Sequence, residues 1–245
     1  MRDVTFCIKT IHRPESCAAL VCSILKHCPE PPKIHVVDDG KPEYRFKTRF
    51  PDAAELCDRV IETDYDIGLS AGRNLLLDTV KTPKVIFTDD DHEVTPETRL
   101  PLLVMKLDRA HDLDMLAAMS GDREGPRMMR SNGHTLRIFP GAYHWDEGIG
   151  RCHYVGNCFV TYTDILQGIR WDESLKMEEH WDFFWRAKVA GLCCGVATDH
   201  VFAHNHVDPP EYVRHRPEYA RAAMDKHGIK RVKYGRKRVK YGRKQ

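Results

Sequence analysis

Eight consecutive residues, Val85-Ile86-Phe87-Thr88-Asp89-Asp90-Asp91-His92, put the tightest limit on this chain: an apolar segment of strand length ends in three carboxylates. Side chains of a strand alternate faces, so Asp89 and Asp91 share one side and Asp90 takes the other. Two carboxylates on one side repel each other unless a cation lies between them, and hard, oxygen-liking ions such as Mg²⁺ or Mn²⁺ suit that position. The plainer alternative is a solvated acidic turn after a buried strand. Either way a buried strand ends in a polar tip.

That strand belongs to a rhythm. Val4 to Thr10, Lys33 to Val37 and Arg59 to Glu62 read as further strands, separated by helices over Pro14 to Lys26 and Ser70 to about Val80. Pro14 and Ser70 suit helix starts. A long helix is expected over Pro96 to Leu113, where Leu100, Leu103, Val104 and Leu107 recur at helical spacing. Such alternation predicts an α/β fold with a mostly parallel sheet flanked by helices. Beyond Met115 the rhythm breaks into hairpin-like segments over 121 to 150. A strand at Tyr154 to Thr161 follows, then helices at Thr163 to Gly168, Glu178 to Ala190 and Pro210 to Lys226, with a strand near Gly195 to Thr198. Open α/β sheets bind ligands at the carboxyl ends of their strands, and Thr10, Asp38-Asp39 and Asp89-Asp90-Asp91 all fall there.

The 245 residues need no second core, and 42% hydrophobic with 30% charged residues describes a globular chain rather than a disordered or membrane one. No run of 18 apolar residues or signal-peptide core occurs. The expected location is therefore cytoplasmic, for a complete protein or for a part of something longer. Nine cysteines in an odd, scattered set with no CxxC pair read as reduced thiols. Cys152, His153 and Cys158 imitate a zinc set only loosely. Nine Lys or Arg and no acid fall within 230 to 244, leaving 29 basic and 36 acidic residues elsewhere. This tail is a tandem repeat, Arg231-Val232-Lys233-Tyr234-Gly235-Arg236-Lys237 and its copy Arg238 to Lys244. It reads as a solvated appendage or as a contact for an anionic surface.

Several segments taken in order carry a resemblance: Val4 to Thr10, His35-Val36-Val37-Asp38-Asp39-Gly40, Asp66-Ile67-Gly68-Leu69-Ser70-Ala71-Gly72-Arg73-Asn74 and Phe87-Thr88-Asp89-Asp90-Asp91. Gly156-Asn157-Cys158-Phe159-Val160, Trp171-Asp172-Glu173 and Glu179-His180-Trp181-Asp182-Phe183-Phe184 continue it. The set resembles GT-A glycosyltransferases of the family-2-like inverting kind, and more narrowly the ganglioside β1,4-N-acetylgalactosaminyltransferase group. The resemblance implies a GT-A, Rossmann-like fold over 1–229, with a nucleotide-sugar-binding half at 1–119, an irregular acceptor half at 120–229, and the basic tail at 230–245 outside it. It implies transfer of a hexose or N-acetylhexosamine from a UDP-sugar, with Mn²⁺ or Mg²⁺, to a glycan or glycoconjugate hydroxyl. It also places Thr10 beside the base and a late histidine, His204 or His206, on the metal.

Each element has a physical role that fits. Asp38 or Asp39 can accept hydrogen bonds from base or ribose, although Asp38-Asp39-Gly40 also makes an ordinary turn. Gly68 opens a helix whose free N–H groups favour a diphosphate, and Arg73 stands one turn inside it. Asp91 and Asp89 would hold the cation, with Asp90 beside them. A general base is sought in Glu179, His180 and Asp182. Asp182 is the first expectation, since Glu179 and Asp182 share a helix face at i, i+3, while His180 stands where the family carries a second acid. Among Trp145, Trp171, Trp181 and Trp185, Trp181 is best placed to meet a sugar. Two other classes remain: sugar-nucleotide nucleotidyl transfer, which needs a glycine-rich loop that Lys9 to Pro14 lacks, and nucleic-acid binding through the tail.

Overall fold

The computed structural model describes residues 1–121, 125–205 and 216–235. Four strands, β1 (Val4–Thr10), β2 (Lys33–Asp38), β3 (Arg59–Glu62) and β4 (Lys84–Asp89), run parallel in the order β3-β2-β1-β4. Helices α1 (Pro14–His27) and α4 (Leu69–Thr79) lie between them in sequence, with the short α2 (Phe46–Arg49) and α3 (Pro51–Glu55) after β2. Every residue of β1 is buried, because both faces of the sheet are covered. Phe6 and Ile8 pack with Leu20, Val21 and Ile24 of α1 on one face, while Cys7 packs with Leu76 and Leu77 of α4 on the other.

The second half makes the sheet mixed rather than mostly parallel. Strand β11 (Cys158–Tyr162) inserts antiparallel between β4 and β6 (Met115–Ser120), and β12 (Cys194–His204) then runs parallel to β6. The short β5 (His92–Glu93) pairs with the end of β12, and β9 (His144–Asp146) and β10 (Ile149–Cys152) extend the far edge. The expected strand from Tyr154 therefore starts later, and 154 to 157 is a loop. Strand β12 is far longer than the expected Gly195 to Thr198 because a register shift between Ala197 and Val201 lets it continue. That continuation brings His204 opposite His92.

Helix α5 (Leu100–Arg109) starts later than Pro96, since Pro101 occupies its first turn and Arg99 before it is left-handed. Helices α6 (Thr163–Ile169), α7 (Glu179–Val189) and α8 (Arg216–Lys226) cover the α4 side. The part of the expected last helix before 216 lies outside the described residues.

A separate three-stranded sheet joins β7 (Arg127–Ser131), β8 (Thr135–Pro140) and β13 (Arg231–Tyr234) in the order β13-β8-β7. This corrects the tail. The start of the first repeat copy, Arg231–Tyr234, is a strand, parallel to β8 and anchored by Ile229 and Val232 against the apolar core. Its alternating Val232 and Tyr234 supply a strand face, and its partner was formed some hundred residues earlier. Residues 236 to 245 lie outside the described residues. No described helix is long and apolar enough to cross a membrane.

Candidate active site

The carboxyl ends of β1 and β4 open into a cleft of about 350 Å³ closed by the starts of α4 and α7, the 154–157 loop and the end of β12. Arg73, on α4 and 3% exposed, spans its floor. One guanidinium nitrogen bonds Glu179 and the other reaches Asp89 Oδ1 at 2.8 Å. Burial alone would lower the Arg73 pKa, but the two carboxylates hold it above the ordinary value. Burial likewise pushes the Asp89 carboxyl up, yet Arg73, His92 and Asn157 outweigh it and hold it at about 2. Asn157 clamps Asp89 twice, with its side-chain amide on Oδ2 at 3.0 Å and its carbonyl on the Asp89 N–H at 3.3 Å.

Asp90 turns away, as period two requires, and is fully buried. Thr10 Oγ1 donates to its Oδ2 at 2.6 Å, and Arg13 pairs with both Asp90 and Asp91, reaching Asp91 Oδ2 at 2.9 Å. Burial and the neighbouring Asp91 and Asp89 raise Asp90 to about 7 against the pull of Arg13 and Thr10.

Asp91 faces two imidazoles. His92 Nδ1 lies 3.5 Å and His204 Nε2 3.6 Å from its Oδ1, and the two rings stack with centroids 4.5 Å apart. Ser120 Oγ bridges them, 2.8 Å from His92 Nε2 and 3.1 Å from His204 Nδ1. The geometry fixes the protons. His92 Nδ1 faces the Asp89 carbonyl at 3.3 Å and Asp91, both acceptors, so it carries the hydrogen. Burial lowers the His92 pKa, leaving the ring neutral with Nε2 as an acceptor. Ser120 must then donate to His92 and accept from His204 Nδ1. His204 Nε2 is thereby turned toward the Asp91 carboxylate.

Asp91 Oδ1 and His204 Nε2, 3.6 Å apart, stand slightly wider than neighbouring ligands of one cation, whose bonds of about 2.1 Å put adjacent donors roughly 3 to 3.5 Å apart, so a small side-chain shift would bring them to that spacing. A small hard ion takes one or two protein ligands and completes its shell with water and phosphate oxygens. Among the described residues no three His, Cys, Asp or Glu side chains form a metal set. His206 lies outside the described residues. Asp89 is held by Arg73 and Asn157, so it borders this position rather than leading it.

Other expected ligand residues sit beneath the cleft. Asp38 caps a turn, accepting from the Gly40 and Phe46 N–H groups at 2.8 and 2.6 Å. Asp39 is buried, paired with Lys9 and with the Gly68 N–H at 3.2 Å. Thr10 is spent on Asp90. Gly68 does not present a free helix start. Its φ is +91°, a Cβ there would fall 2.7 Å from Lys176, and the Leu69 N–H donates to the Lys176 carbonyl. Gly72 lets the Lys9 stem pass, since a Cβ would come within 2.6 Å of it. Asp38, Asp39, Thr10, Gly68 and Asp90 are thus supports of the cleft, not its lining.

The three base candidates separate. Asp182 is fully buried and does not line the cleft. It accepts from Arg186 Nε at 2.9 Å, Lys226 Nζ at 2.9 Å and His227 Nε2 at 2.6 Å, tying α7 to α8. Glu179 lines the cleft but is committed to Arg73. His180 lines it too, with Nε2 2.8 Å from the Val155 carbonyl. A carbonyl only accepts, so Nε2 holds the hydrogen and Nδ1 is the basic nitrogen. Burial and Arg73 hold this imidazole down at about 4, hence neutral at ordinary pH.

Trp181 lines the cleft, Trp171 stacks on Phe183 in the core, Trp185 packs beside it and Trp145 is exposed on β9. Cys152 and Cys158 donate to separate carbonyls and His153 Nδ1 accepts the Met129 N–H, so they form no zinc set. None of the nine cysteines is in a disulfide. Sequence reasoning missed Lys9, Arg13, Ser120 and Asn157, whose partners lie 28 to 84 residues away and leave no local signal except the polar end of β1.

Residues 5–167 match the family described as Glycosyl transferase family 2. The chain belongs to that family and is a glycosyltransferase. It is 29% identical over 210 residues to mouse Beta-1,4 N-acetylgalactosaminyltransferase 2, and 30% identical over 217 residues to rat Beta-1,4 N-acetylgalactosaminyltransferase 1. Each match covers 80% of this chain but only 39% and 38% of the relative. The chain thus spans about two fifths of the curated relatives it matches. Among solved structures, Staphylococcus aureus TarS 1-349 in complex with UDP-GlcNAc superposes with a TM-score of 0.65 at 17% identity, covering 92% of this chain and 66% of that one. GalNAc-T7 with UDP, GalNAc and Mn²⁺ gives 0.68 at 14% identity, covering 93% and 55%. The fold is that of GT-A glycosyltransferases.

Proposed function

We propose that this family 2 enzyme moves a hexose or N-acetylhexosamine from a UDP-sugar to a hydroxyl of a glycan or glycoconjugate, with inversion and with a divalent cation. The observation that carries the reading is the Asp91 Oδ1 and His204 Nε2 pair, a carboxylate oxygen and an imidazole nitrogen 3.6 Å apart at the rim of the cleft. The names of the relatives support an N-acetylhexosamine, and UDP in the TarS and GalNAc-T7 structures supports the nucleotide.

Asp91 and His204 would hold Mn²⁺ or Mg²⁺, which when bound supplies Lewis-acid stabilisation of the departing diphosphate. Ser120 orients His204 for this, and Arg13 holds Asp91 in place. Arg73, fixed between Asp89 and Glu179, adds fixed positive charge to the cleft floor. His180 is the general base. Its neutral Nδ1 takes the acceptor proton as the new C–O bond forms, when that hydroxyl is most acidic, so a weak base is sufficient.

A thermal-shift panel of UDP-, GDP- and CMP-sugars, with and without Mn²⁺, tests the reading. A UDP-specific, Mn²⁺-dependent shift is expected, with stabilisation of about 2.7 kcal/mol at a ligand concentration 100 times its Kd. A shift that ignores Mn²⁺ or prefers another nucleotide contradicts it.

A further inference from the structure

A second cavity of about 310 Å³ adjoins the cleft, between α8 and β13. The two share Glu178, Trp181 and Tyr234 as a common wall. Its body is apolar, with Met224 of α8 and Val232 of β13, and Lys230 and Arg231 line it as well. Tyr234 is the unusual member. It is 51% exposed although it ends a paired strand, and it lines both cavities. Its position is fixed by the ladder to Ile138 and by Gly235, whose N–H donates to the Ile138 carbonyl at 2.7 Å. A Cβ on Gly235 would lie 2.9 Å from the Phe139 Cβ, so only glycine lets the strand end lie so close to β8.

We infer that this groove is an acceptor subsite, holding the sugar next to the one that is glycosylated, with the Tyr234 ring as its platform. The inference rests on the proposed sugar transfer. An acceptor longer than one sugar must leave the cleft somewhere, and this groove is continuous with it past Glu178. Pyranose rings present C–H faces that pack on aromatic rings and hydroxyls that need polar rims. The groove offers both: an exposed tyrosine ring beside apolar side chains, and the Glu178 carboxylate at one end with Lys230 and Arg231 at the strand's start. Neither Lys230 nor Arg231 is ion-paired within the described residues, which leaves their donors available to hydroxyls. The first copy of the heptad repeat thereby becomes part of substrate recognition.

The test uses the full chain, a UDP-sugar that it turns over, and a panel of p-nitrophenyl mono- and disaccharides as acceptors. Tyr234→Ala should raise KM for disaccharides about tenfold and leave KM for monosaccharides within twofold. Tyr234→Phe should stay close to the parent. Ala220→Trp, which fills the groove from α8, should reproduce the disaccharide defect without touching Tyr234. Equal KM changes for both acceptor lengths, or none, overturn the inference, as does hydrolysis without transfer to any saccharide of the panel. Loss of UDP-sugar hydrolysis in the parent protein would instead overturn the proposed function.

Discussion

The two walls of the cleft hold Asp91 and Asp182 in opposite ways. On the donor wall four acids at the strand ends meet Lys or Arg side chains of the same half, Asp39 with Lys9, Asp89 with Arg73, and Asp90 and Asp91 with Arg13, while Asp38 accepts from backbone N–H groups. On the acceptor wall Asp182 takes Arg186, Lys226 and His227 together and is sealed from the cleft. A carboxylate saturated by three donors is an anchor for packing. One that keeps an oxygen near a second acceptor, as Asp91 does with His204, is poised for a cation.

The contrast is sharpest in catalysis. His180→Asn should lower kcat by a factor of about 10² to 10⁴, the range of a lost general base, with the fold intact. Asp182→Asn should leave kcat within about tenfold and instead lower the melting temperature. A collapse of kcat in Asp182→Asn with unchanged stability would reverse the two walls. In the parent enzyme the acid limb of kcat/KM should have its midpoint near 4, where His180 is held, rather than near the ordinary imidazole value.

A stability effect comes next. Arg73→Met strands the buried Glu179 and the partly exposed Asp89 without their cation, and should cost about 3 kcal/mol by chemical denaturation, most of it from Glu179. A loss under 1 kcal/mol would mean that the donor wall does not depend on the shared cation.

Ser120→Ala should weaken Mn²⁺ affinity by about 10- to 100-fold in the presence of UDP, since it removes the bridge that fixes the His204 tautomer. Ser120→Thr should restore most of it. Unchanged affinity in Ser120→Ala would remove the tautomer argument.

The smallest effect is a pH dependence. Burial pushes the Asp182 carboxyl up, but hydrogen bonds from Lys226, His227 and Arg186 outweigh it and hold its folded pKa below the unfolded value of about 3.9. Its contribution is therefore present above that value and lost as pH falls through the folded pKa. The melting temperatures of parent and Asp182→Asn should differ at pH 6 and converge toward pH 3. A constant difference would place the effect in packing alone.

The same contrast decides what the sequence shows. In the donor half, parallel register carries Thr10, Asp38 and Asp89 to one end of the sheet, so periodicity and turn residues suffice to place them. Whether such a residue lines the cleft or supports it depends on partners brought from afar, such as Lys9 for Asp39, and periodicity does not show that Asp38, Asp39 and Gly68 lie beneath the cleft. In the acceptor half, helical spacing put Glu179 and Asp182 on one face, but α8 captures Asp182 through Lys226 and His227, 44 and 45 residues on. The repeat looked like a tail because the strand that receives it, β8, lies far back in the chain. His204 was visible as a late histidine; the register shift that carries it to Asp91 was not.

Anomalous diffraction at the manganese edge, on crystals grown with UDP and Mn²⁺, tests the central claim most directly. A single strong peak within bonding distance of Asp91 Oδ1 and His204 Nε2, lost in Asp91→Ala, is predicted. A nucleotide bound in the cleft with no peak between those two side chains would contradict it.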